Sequence, residues 1–163
     1  MTQELAAAMM IALALLLLGL AWWGWRNRRK RFDYLEGALI RSLPASPALL
    51  SGEGLYVATT VADQPMNRVP VGPLSFRAKA RFSIHPEGVV LAPQGESPIL
   101  MDARRGMEAG RATWTIDRVV EPDGLVMLRW NLGDMEVDSY LRIVESDASR
   151  VIDTVNSLKG SSE

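Results

Sequence analysis

Between Leu5 and Trp25 the chain runs for 21 residues without a charged or strongly polar side chain. At about 1.5 Å per residue, such a stretch wound as a helix covers roughly 31 Å, the thickness of a bilayer's hydrocarbon core. Ala6 to Ala8, Met9, Met10, Ile11 and the run Leu15 to Leu18 favour helix. In lipid, a helix is the structure that satisfies its own backbone hydrogen bonds within one segment. The run therefore predicts one transmembrane helix over residues 5–25.

A cleaved signal peptide is the alternative. It would begin with basic residues, carry an apolar core of about 7–15 residues and offer small residues at the cleavage site. Here Glu4 precedes the apolar run, and Trp22, Trp23, Gly24 and Trp25 stand where cleavage would fall. Arg26, Arg28, Arg29, Lys30 and Arg31 follow at once, which favours retention as an anchor. Indole rings prefer the headgroup layer and basic flanks resist translocation, so these eight residues are the expected membrane-interface set. The expected topology is single-pass in the cell (inner) membrane, with the N-terminus outside and the C-terminal part cytoplasmic.

The rest of the chain bounds what that part can do. With 163 residues in all, no cysteine and one histidine, there is room for one small domain but no disulfide framework and no thiolate chemistry. Of the 18 basic residues five lie at positions 26–31, and of the 19 acidic residues one is Glu4, so residues 32–163 carry about −5. No basic patch interleaved with aromatics is present, so nucleic acid is not an expected partner. No P-loop motif occurs either.

Residues 26–53 read as a basic and amphipathic juxtamembrane linker. Phe32, Leu35, Leu39 and Leu43 recur at helical spacing, and Pro44 and Pro47 end that pattern. From Gly54 the period becomes two. Arg77, Lys79 and Arg81 alternate with Ala78, Ala80 and Phe82, as in a half-buried antiparallel strand. Further strands are expected over residues 55–62, 89–92, 98–101, 112–120, 125–130 and 135–144, about seven in all. Trp114, Ile116, Val126, Leu128, Trp130, Val137, Leu141 and Ile143 form the expected core. Val151, Ile152, Val155 and Leu158 then return to helical spacing, with Ser146, Asp147 or Ser149 as cap and Gly160 as terminator, predicting a helix that covers the sheet.

Gly54 to Thr60, Gly110 to Arg118, Asp123 to Val126 and Val137 to Tyr140 resemble segments of small actinobacterial membrane proteins with a bacterial pleckstrin-homology-like (PH-like) domain. The resemblance implies a mainly β chain: one transmembrane helix, a PH-like antiparallel β-barrel domain over residues 54–160, and a C-terminal capping helix. It also implies a gene neighbourhood of pyrimidine biosynthesis and a loose transporter label. A single apolar helix lines no solute path, so the chain alone is not a carrier.

Candidate chemistry is sparse, and the expected reading is non-enzymatic, with no cofactor and no resident metal. His85 precedes Pro86 in an expected turn, and Asp117, Asp134 and Asp138 are more simply partners of Arg118, Arg129 and Arg142 than ligands of a cation. The loop Arg104 to Arg111 carries two glycines among its cations, and Arg104, Arg105 and Arg111 are the candidate anion-binding residues. The expected partners are the lipid bilayer and another protein, met through loops or a strand edge, with an anionic metabolite or lipid as the alternative.

Overall fold

The computed structural model describes residues 3–112, 125–144 and 147–158, apart from the side chains at positions 28, 29 and 31. The chain forms two compact units, Met1–Tyr34 and Leu35–Glu163.

The first unit is helix α1, Gln3–Asp33. Its segment Gln3–Asn27 is long and apolar enough to cross a membrane. Side chains on every side of it are exposed, Leu15, Leu16, Leu17 and Leu18 among them. An apolar face that runs all the way round needs an apolar solvent. At its C-terminal end the Arg26 guanidinium lies over the Trp22 ring, 5.6 Å from the centroid, one turn along the helix.

The second unit is an antiparallel sheet with a helix. Its strands are β1 (Leu50–Val61), β2 (Gln64–Arg68), β3 (Ala78–His85), β4 (Gly88–Pro93), β5 (Ile99–Asp102), β6 (Met107–Ala112), β7 (Leu125–Leu132) and β8 (Met135–Ile143). Helix α2, Ala148–Leu158, follows. The strand order is β5-β4-β3-β1-β8-β7-β6, with β2 pairing β1 beyond the end of β3. Among the described residues the fold is therefore mainly β with two α-helices, and the sheet has eight strands where alternation predicted about seven.

The β-barrel implied by the resemblance does not close. Strands β5 and β6 end the path and do not pair with each other among the described residues. Both outer edges are occupied instead. On β5, the Leu100 N–H donates to the Ile40 carbonyl at 2.8 Å. On β6, the Ala109 N–H donates to Asn156 Oδ1 at 2.8 Å, and Asn156 Nδ2 donates back to the Ala109 carbonyl at 3.0 Å. A side-chain amide on α2 thus imitates the neighbouring strand that closure would have supplied.

Part of the core lies between one face of the sheet and α2, where Ile84, Val126, Leu128 and Leu141 gather with Val151 and Val155. Val126, Leu128, Trp130, Val137 and Leu141 are buried, as alternation predicted, and Ile143 is half-buried. Val151, Val155 and Leu158 of α2 pack inward. Asp147 caps that helix, accepting the Ser149 N–H at 2.9 Å. Trp114, Ile116, Ser146, Gly160 and most of the strand expected over 112–120 lie outside the described residues.

A polar chain threads this core. Trp130 Nε1 donates to Ser139 Oγ at 3.0 Å, which lies 2.7 Å from Thr59 Oγ1, which lies 2.9 Å from the Tyr56 hydroxyl. The Leu74 carbonyl, 3.0 Å from that hydroxyl, can only accept. Each proton is then used once if Tyr56 donates to Leu74, Thr59 to Tyr56, and Ser139 to Thr59. Burial pushes the Tyr56 phenol well above its ordinary pKa, with the Thr59 hydrogen bond and the Arg68 charge opposing it.

The linker also differs from its expected form. Helix α1 stops at Asp33, a 3-10 turn covers Glu36–Ala38, and Leu39 is already extended where Ile40 meets β5. Gly37 and that β-bridge interrupt what Leu35, Leu39 and Leu43 suggested as a continuous helix. Leu35 and Leu39 are buried in the domain, whereas Leu43 is exposed.

Candidate binding surface

The three arginines of the candidate anion loop go to three different places. Residues 107–111, expected as loop, belong to strand β6, Met107–Ala112, and the turn before it is made possible by Gly106 at φ +95°. The Arg104 guanidinium grips Asp102, Nε to Oδ1 at 3.0 Å and Nη2 to Oδ2 at 3.0 Å, while the Arg104 N–H also donates to Oδ1. Burial alone would raise the Asp102 carboxyl, but the hydrogen bonds and charge of Arg104 together hold it below its ordinary value. Arg105 donates to the Gly133 carbonyl at 2.6 Å and lies 4.0 Å from Asp134. Arg111 donates to Ser149 on α2. These cations fasten the β5–β6 connection, the β7–β8 turn and α2, and the structure does not bring them together.

The carboxylates considered as a metal cluster are likewise engaged. Asp138 receives Arg129 at both oxygens, 2.7 and 3.0 Å, and Arg129 reaches Asp63 at 2.8 Å. Asp134 stands beside Arg105, and Asp117 lies outside the described residues. Among the described residues no cluster of three or more His, Asp or Glu side chains is placed to hold a metal.

His85 ends β3 and is half-buried, not an exposed turn residue. Its Nδ1 donates to the Ser46 carbonyl at 2.9 Å, which leaves Nε2 of the neutral ring to accept from Ser83 Oγ at 2.9 Å. The pair has the spacing of a hydroxyl and its base. The imidazole is oriented by a backbone carbonyl, however, and Glu87, the carboxylate of the same hairpin, accepts from Ser46 Oγ. Together these contacts tie the Pro44–Pro47 spacer to the β3–β4 hairpin.

A wider concavity lies elsewhere. A solvent-open groove of about 1130 Å³ is lined by the start of β1, by β3, by the end of β4 and its following turn, and by the end of β8. Register explains its composition. Leu55 of β1 pairs with Lys79 of β3 on one side and Arg142 of β8 on the other, while Glu53 pairs with Arg81. Same-face side chains stand opposite one another across paired strands, so a half-buried Leu55 sits between two exposed cations with Arg81 alongside. Pro93, Pro98 and Val144 extend the apolar lining, and Glu53 and Glu96 also border it.

Lys79, Arg81 and Arg142 form no ion pair among the described residues, in contrast to Arg104, Arg105 and Arg129. Alternation along β3 had already put Lys79 and Arg81 on one face. Arg142 joins them only through the pairing of β1 with β8, which no local pattern reveals.

No curated protein matches the chain. The sequence model of the family described as Bacterial PH domain-like matches residues 40–158, from the Ile40 bridge to the last residue of α2. The open antiparallel sheet and its C-terminal helix occupy that same interval, and the chain belongs to the Bacterial PH domain-like family.

Proposed function

We propose that this protein is a membrane-anchored, non-enzymatic interaction module. Its N-terminal helix holds a PH-like domain at the cytoplasmic face of the cell membrane, where the domain binds a protein partner. The observation that carries this reading is the union in one chain of the exposed, membrane-length helix Gln3–Asn27 and a PH-like domain, a kind of domain that is in general non-catalytic. Trp22, Trp23 and Trp25 with Arg26, Arg28, Arg29, Lys30 and Arg31 form the interfacial belt that fixes depth and orientation. The sequence resemblance adds pyrimidine biosynthesis or a membrane transport complex as the setting that supplies the partner.

The occupied sheet edges refine how that partner is met. With Leu100 and Ala109 already bonded, addition of a strand to β5 or β6 is disfavoured, and the sheet face and the loops are left for docking. In-membrane crosslinking of the full chain followed by purification is expected to recover one stoichiometric partner. Protease added to intact spheroplasts is expected to spare the domain. Recovery of no partner, or digestion of the domain from outside, would overturn the reading.

A further inference from the structure

From the groove between β3 and β8 we infer a docking site for an extended, acidic segment of the partner protein, which rests on the interaction-module reading above. The occupant's form follows from spacing. Lys79 and Arg81 are two residues apart on one strand, about 6.6 Å, the repeat of same-face side chains in any extended peptide. Arg142 stands two strands away from Lys79, about 10 Å across, with Leu55 between them. A segment laid along β1 over Leu55 places alternating carboxylates against Lys79 and Arg81 and turns its interleaved side chains and backbone carbonyls toward Arg142 and Val144 on its other flank.

The occupant's polarity follows from the lining. Leu55, Pro98 and Val144 offer apolar surface for interleaved aliphatic side chains, which a bare phosphate does not use. Glu53 and Glu96 border the same groove, and residues 32–163 are net acidic. Both repel a dense polyanion such as a lipid surface or nucleic acid, while a peptide that spreads its charge meets the three cations at short range.

The test uses the full chain in nanodiscs of zwitterionic lipid and the anisotropy of a labelled peptide alternating glutamate and valine. Saturable binding is expected, along with at least about tenfold weaker binding of the glutamine-valine analogue. The Lys79→Glu, Arg81→Glu, Arg142→Glu triple variant should lose binding by a similar factor, and Arg150→Glu, on α2, should leave it unchanged. The milder Lys79→Gln, Arg81→Gln pair, read beside a thermal melt, should weaken binding without unfolding. Absence of saturable binding, or equal binding by the triple variant, would overturn the assignment. So would inorganic pyrophosphate or anionic-lipid nanodiscs binding as tightly with the same variant sensitivity. If the triple variant still crosslinks to its partner in membranes, the groove assignment fails while the module reading stands; if the unaltered chain captures no partner, the module reading itself fails.

Discussion

Asp138 is a carboxylate almost entirely buried in β8, made tolerable by Arg129, whose guanidinium holds both its oxygens and spans to Asp63. Hydrogen bonds to Asp138 and then to Asp63 raise the Arg129 pKa further above its ordinary value. Removing one partner of a buried pair strands the other charge, so Arg129→Ala is expected to cost about 3 kcal/mol in a urea titration. A loss under about 1 kcal/mol would show that the pair is solvated. Asp102 makes a pH-dependent contribution. Its folded-state pKa is lowered, so the stabilisation is present above the ordinary carboxylate value, near pH 4, and drains away as pH falls through the lowered one. Arg104→Ala should flatten the acid limb of a stability-pH profile; an unchanged limb would contradict the pairing. Gly88 is constrained sterically: at φ +151° an added Cβ would lie 2.0 Å from the Met101 carbonyl oxygen. Gly88→Ala should cost about 3 kcal/mol or more by thermal or urea unfolding.

Among the elements, those with clean alternation were legible in the sequence. Strands β3, β7 and β8 and helix α2 announce themselves by periods of two or 3.6, and β4 by a short apolar run returning from the turn before it. Strand β2 did not, because Gln64, Pro65 and Met66 are all exposed and leave no apolar face to recognise. Strand β6 was hidden by its composition: Arg111 and Gly110 look like loop residues until pairing with β7 and the contact to α2 organise them. The open edge of β6 was invisible for a different reason, since the amide that seals it comes from Asn156, some 47 positions further along the chain. Asn156→Ala would uncover both backbone groups of Ala109 at once. A loss of about 1–3 kcal/mol is expected, along with concentration-dependent self-association in analytical ultracentrifugation as the edge becomes available. A variant that stays monodisperse and fully stable would show that the edge needs no such cover.

At the scale of the whole molecule, two features that look alike in a composition table separate cleanly. The basic residues beside Trp25 are contiguous in sequence and readable as a membrane flank, whereas the groove cations are gathered from β3 and β8 by tertiary pairing. In the reading proposed above, the first group accounts for location and the second for recognition, and a net acidic remainder disfavours general polyanion binding. All of this presupposes that the apolar helix is embedded in lipid. The most direct test is an alkaline carbonate wash of membranes carrying the full chain. The intact polypeptide is expected to remain in the pellet with integral membrane proteins, and its release into the supernatant would contradict the anchored account.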